Sequence, residues 1–137
     1  MKTTRKGNIG LSKTITEALV RGYSVYLPFD EDEKTDLVVD RNGKLEKVQC
    51  KATTSDGKRV LAKARSTSSW SSKTKQQVKY TEKDIDWLVV YDFTSDRCYF
   101  IHSNYLGKGR NSISLRLVEP KSNQKKGIVW AKDFLEW

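Results

Sequence analysis

Between residues 36 and 52 the chain reads DLVVDRNGKLEKVQCKA, and Asn42-Gly43 at its centre leaves the backbone little choice. Two residues that tolerate positive φ, set between alternating apolar and polar segments, specify a tight two-residue hairpin. Arg41 then pairs with Lys44, and the strand 36–40 runs antiparallel to the strand 44–52. That register sets Asp36 directly across from Gln49, with Cβ atoms about 5 Å apart. Side chains alternate along a strand, so Lys51 shares the face of Gln49 while Cys50 points the other way. A slip of one residue would break the arrangement.

Other elements can be placed around this hairpin. Residues 7–22 predict a helix with Leu11, Ile15, Ala18 and Leu19 on one face and Gly22 as its stop. SVYLPF (24–29) predicts a strand ended by Pro28, and KRVLAKA (58–64) another. The stretch 66–77, STSSWSSKTKQQ, has the Ser, Thr and Lys content of a mobile loop. Thr81 followed by Asp84 predicts a short capped helical turn. WLVVYDF (87–93) is a continuous apolar run, as expected of a central strand buried on both faces, with RCYFIH (97–102) beside it. SISLRLV (112–118) alternates like an outer strand, and AKDFLEW (131–137) predicts a last helical turn. A helix, a run of strands and then mixed elements give an α/β or α+β chain with a mixed sheet. With 137 residues and no internal repeat, one domain is expected.

Charge narrows the partner. The formal net charge is +9, which favours a polyanion. No basic amphipathic helix with a continuous apolar face is present, so nucleic acid is expected rather than a membrane. No apolar run approaches the ~20 residues of a membrane span, and the N-terminus lacks a secretory signal, so a cytoplasmic, nucleoid-associated protein is expected. The two cysteines, Cys50 and Cys98, have no CxxC spacing, which argues against a zinc site. Eight cations between Lys58 and Lys83 face one acid, Glu82, whereas Pro28–Asp40 holds six acids and only Lys34. The first segment suits phosphates: Lys58, Arg59, Lys63, Arg65, Lys73, Lys75 and Lys79 are the candidate contacts. Trp70 among them either stacks on a base or covers the edge of the core. The second segment suits a cation.

The Asp36, Gln49 and Lys51 face has a chemical use. A hard cation such as Mg²⁺ takes oxygen ligands from a carboxylate, an amide and often a backbone carbonyl, and it polarises a phosphoryl oxygen. A neighbouring lysine can orient or deprotonate water, or stabilise charge building on phosphorus. The same three residues would also serve as a solvated hairpin face with an Asp–Lys pair, and spacing alone favours that second reading.

Resemblance chooses. GNIG opening the first helix, then RGYSVYLPF, TDLVVD and VQCK in that order, resembles the PD-(D/E)XK nuclease superfamily, and within it the branch of bacterial group I intron-encoded homing endonucleases. In that branch Gln replaces the acid of the E-x-K element. The resemblance covers residues 6–105, leaving 106–137 as a C-terminal elaboration. It implies a restriction-endonuclease-like α/β core, a mixed β-sheet with flanking helices. It implies that Asp36, Gln49 and the Cys50 backbone carbonyl hold Mg²⁺ or Mn²⁺, and that Lys51 is the catalytic lysine. One departure stands out: many relatives carry Glu just after the GNIG-type opening, where this chain has Leu11. Glu17 lies on the far side of the helix and reads as solvated.

The expected function is metal-dependent, site-specific cleavage of double-stranded DNA by a homodimer or homotetramer. The alternatives are a junction-resolving or repair nuclease, and a non-catalytic DNA-binding module. His102 reads as structural, Trp87 and Tyr91 as core, and the Ser68–Ser72 serines as loop residues without a triad.

Overall fold

The computed structural model describes residues 1–30, 34–71, 74–122 and 126–137. One helix and nine strands follow in chain order: α1 (Thr3–Val20), β1 (Ser24–Tyr26), β2 (Leu37–Arg41), β3 (Lys44–Thr53), β4 (Arg59–Lys63), β5 (Arg65–Ser71), β6 (Thr74–Lys79), β7 (Trp87–Asp92), β8 (Arg97–His102) and β9 (Ser112–Arg116). Short 3-10 turns occupy Ser103–Tyr105 and Ala131–Phe134. The loop acids Glu31, Asp32 and Glu33, together with Lys73, lie outside the described residues.

A five-stranded sheet in the order β1-β2-β3-β7-β8 forms the centre. β3 and β7 are parallel and every other pair in it is antiparallel. Parallel neighbours need a long crossover, usually a helix. Here the crossover is itself made of strands: β4 pairs with β9, and β5 pairs with β6. β7 is buried at all six positions, as its apolar run requires. One face of the sheet packs under α1 through Leu37, Val39, Val48, Cys50, Val89 and Phe100. The other face packs under the β4–β9 ribbon and the last 3-10 turn, through Val60, Ala62, Leu88, Ile101, Leu115 and Phe134.

The hairpin forms at the expected turn. Asn42 and Gly43 have φ of 57° and 88°, Arg41 pairs with Lys44, and Gly43 N–H donates to Asp40 Oδ1 at 2.8 Å. Trp87 and Tyr91 are buried as expected. His102 is structural: its Nδ1 accepts from Asn104 N–H at the head of a 3-10 turn, and its ring meets Trp87 edge-on at 5.0 Å.

Several expectations are corrected. α1 begins at Thr3, so Gly7–Gly10 lies inside the helix instead of opening it. Gly10 is there because the helix crosses β3 closely: a Cβ on it would stand 3.1 Å from Ala52 Cβ and 3.3 Å from Lys51 O. The buried helix face is therefore Gly10, Thr14 and Ala18, flanked by half-buried Leu11 and Ile15, while Leu19 is 60% exposed. The chain leaves that face at Gly22, where Gly22 N–H bonds Leu19 O and Tyr23 N–H bonds Ala18 O. The expected strand 24–29 stops at Tyr26, before Pro28. Residues 82–84 form a plain turn closed by Asp84 accepting from Thr81, not a helix. The expected loop 66–77 is mostly the β5–β6 ribbon. Its ladder bonds are made by backbone, so a polar composition does not forbid it.

Candidate active site

The β2–β3 ladder ends at Leu37–Val48. A straight continuation would bring Asp36 opposite Gln49, but Asp36 is instead clamped on either side of that position. Its N–H donates to Val48 O at 2.9 Å, and its Oδ2 accepts from Cys50 N–H at 2.8 Å. The Gln49 side chain turns to the same peptide, its Nε2 donating to Cys50 O at 3.3 Å. N–H and C=O of one strand residue point to the same edge, so Asp36 and Gln49 meet β3 along its β2 edge. Asp36 Oδ1 and Gln49 Oε1 receive no hydrogen bond among the described residues, and Trp137 Nε1 is the one buried polar side-chain atom there without a partner.

Lys51 follows on the same sheet face as Gln49, beside Val90 of β7. Its Nζ donates to Arg65 O at 3.1 Å and lies 5.3 Å from the centre of the Tyr80 ring. Tyr80 is only 3% exposed. Its phenol is pushed above the ordinary tyrosine range, first by burial and then by the Asp36 charge, against a hydrogen bond with Ser66. Burial likewise lowers the Lys51 ammonium, more than the Asp36 charge raises it, and Lys63 lowers it further. Burial raises the Asp36 carboxyl, and the Cys50 N–H and Lys51 only partly offset this. Asp36 and Lys51 thus attract each other, yet desolvation moves both toward neutrality. Cys50, between Gln49 and Lys51, points into the helix-side core, where burial pushes its thiol far up.

Tyr80 was not found from sequence. It stands 29 residues after Lys51, at the end of β6, and is brought over β3 by the strand crossover; its Tyr80 N–H bonds Ala64 O. No local spacing signals that.

The helix adds no carboxylate here. Leu11 packs in the helix-side core, and Glu17 is half-buried at the far end of α1 in an ion pair with Arg21. The solvated reading of Glu17 is replaced by that pair. Among the described residues no group of three His, Cys, Asp or Glu side chains converges.

The basic candidates follow the crossover. Arg59 and Lys63 lie on the exposed face of β4, Lys58 precedes it, and Arg65 pairs with Lys79 where β5 meets β6. Trp70 lies on β5 and Lys75 on β6, where the backbone alone is described. Ala64 is the buried joint between β4 and β5, so Arg59, Lys63 and Arg65 follow one nearly continuous strand whose middle meets Lys51 at Arg65 O.

The family model for the PD-(D/E)XK endonuclease matches residues 1–137. The chain belongs to the PD-(D/E)XK endonuclease family. Among solved structures, that of a bacterial homing endonuclease, I-Ssp6803I, is similar with a TM-score of 0.75 and 24% identity, covering 98% of this chain and 88% of that one. The fold is accordingly that of a PD-(D/E)XK endonuclease. Among curated proteins nothing matches. No helix among the described residues is long and apolar enough to cross a membrane.

Proposed function

We propose that this endonuclease-family chain cuts double-stranded DNA by metal-dependent hydrolysis, at specific sites and in the manner of a homing enzyme. The observation that carries this reading is the pair of unengaged oxygens, Asp36 Oδ1 and Gln49 Oε1, along the β3 edge that also carries Cys50 O, next to Lys51. An all-oxygen donor set of carboxylate, amide and carbonyl fits Mg²⁺ or Mn²⁺. Such a cation would supply Lewis acidity at a phosphoryl oxygen.

The chain's own residues supply the rest. Asp36 is locked by two hydrogen bonds, so its free oxygen is aimed before anything binds. Lys51 is held from two sides, by Arg65 O and the Tyr80 ring. A buried amine with a depressed pKa can orient the attacking water and take its proton, or it can meet the charge that grows on phosphorus. The cations of β4, β5 and β6 position the strand through its phosphates without reading bases. Each chain has one such site and a duplex has two strands, so a homodimer or homotetramer acts on it. A cytoplasmic, nucleoid-associated location fits that substrate.

The single carboxylate supports a second reading, a DNA-binding module that no longer cuts. Incubation of supercoiled plasmid with the purified chain separates the two. Nicked or linear product with Mg²⁺ or Mn²⁺, and none with EDTA, is expected. Binding without cleavage under either metal favours the module.

A further inference from the structure

One cleft away from Lys51 carries charge that neither the fold nor the cutting chemistry uses. It lies between the start of β8, the end of β9 and the final 3-10 turn, with a volume of about 230 Å³. Arg97, Arg116 and Lys132 line it together with Tyr99 and Trp130, and among the described residues no acid does. None of the three cations is ion-paired among the described residues. Asp92, the cross-strand partner of Arg97, is already spent on Ser55, Thr94 and Ser95. Arg116 is pre-set by its Nε bond to Val118 O at 2.8 Å, and Lys132 Nζ rests 5.7 Å from the Trp130 ring centre. Arg59 stands opposite Arg116 across the β4–β9 ribbon, and the two share a neighbouring hollow with Asp56, Lys58, Glu119 and Lys121. Gathering like charges in a half-enclosed cleft costs Coulomb energy that a bound anion recovers.

The position identifies the anion. Arg59 and Lys63 lie on one face of β4, four residues apart, which is about 13 Å of strand. Lys63 is close enough to Lys51 to depress its pKa. A duplex carries closely spaced phosphates along its length, so one that meets Lys63 can present further phosphates to the cleft. Arginine forks match phosphate oxygens, and the half-buried Trp130 ring gives the sugar an apolar floor.

Building on the DNA reading above, we propose that Arg97, Arg116 and Lys132 form a second phosphate-binding site, which seats the DNA backbone beyond the phosphates held near Lys63. Arg97 and Lys132 are exposed, so Arg97→Gln with Lys132→Gln keeps the side-chain stems and the fold. Binding of a fluorescent duplex is measured in EDTA across a range of NaCl concentrations, for the wild-type chain and for this double variant. The log–log salt slope should flatten by about 1.8, at ~0.9 per lost contact, and affinity near physiological salt should fall about 10-fold or more. Wild-type binding with the same slope and affinity in the variant would overturn the site while leaving the DNA reading intact. A wild-type chain that binds no duplex would overturn both. If the variant loses affinity for polyglutamate but keeps the wild-type DNA slope, the cleft belongs to an acidic protein and the proposal fails.

Discussion

The β2–β3 hairpin holds a carboxylate at each end, and the two are treated in opposite ways. Near the turn, Glu46 is 1% exposed, with Arg41 Nε at 2.6 Å on one oxygen and Trp87 Nε1 at 3.0 Å on the other. Arg41 in turn lies over the Trp87 ring at 5.3 Å. Although burial pushes the Glu46 carboxyl up, the bonds from Arg41 and Trp87 outweigh it and hold the group below the usual range. At the open end, Asp36 has one oxygen bonded and one left over, and burial keeps its carboxyl above the usual range. A carboxylate with both oxygens engaged holds the fold together. One held rigid with an oxygen to spare costs stability, and on the proposed reading a bound cation would offset that cost.

The contrast can be broken first at Glu46. Glu46→Ala strands Arg41 and the indole N–H, and should cost about 3–5 kcal/mol in urea unfolding. The pH dependence has a definite sign. Because the folded pKa of Glu46 is depressed, its contribution is present above the ordinary carboxylate value and is lost as pH falls through the folded one. An unfolding midpoint unchanged in Glu46→Ala would remove the structural half of the comparison.

Lys51 offers the next largest effect through its support. Tyr80→Leu removes the ring beneath the ammonium, and should slow cleavage by about 10–100-fold while duplex affinity stays within about 3-fold. Tyr80→Phe keeps the ring and should retain near wild-type cleavage. Equal losses in both variants would shift the role from the ring to the hydroxyl.

A smaller effect is expected at the arm. Arg65→Gln with Lys79→Gln should flatten the salt slope of binding by about 1.8 and weaken all sequences alike. A changed sequence preference with an unchanged slope would mean that this pair reads bases.

The smallest effect sharpens the comparison most. The folded pKa of Asp36 is raised, so stability is greatest below the ordinary carboxylate value and is lost as pH rises through the folded one. Asp36→Asn should therefore melt a few degrees above the wild-type chain at neutral pH in EDTA, and match it in acid. A lower melting temperature for the variant at neutral pH would count against it.

How much of this could be read in advance follows from burial. The β2–β3 hairpin was legible because one face is dry, which forces alternation, and because Asn42-Gly43 fixes the turn. The β5–β6 ribbon has the same topology but no such alternation, so its Ser and Thr content looked like a loop. The start of α1 was missed because Lys2, its N-cap, offers no capping side chain, and Leu19 misled because the chain turns away at Gly22. Within the site, Asp36, Gln49 and Lys51 share one hairpin: its register places Gln49 and Lys51 on one face, and bonds to Val48 and Cys50 hold Asp36 where the ladder ends. Tyr80, Arg97, Arg116 and Lys132 come from distant elements, and the basic cleft appears only once β8, β9 and the last turn meet.

Whether DNA is cut at the open end of the hairpin is decided by measuring cleavage and duplex binding side by side for Asp36→Asn and Lys51→Ala with Mg²⁺. Cleavage should fall by about 10²–10⁴-fold in each variant while binding survives. Wild-type cleavage rates in both variants would contradict cutting at that end.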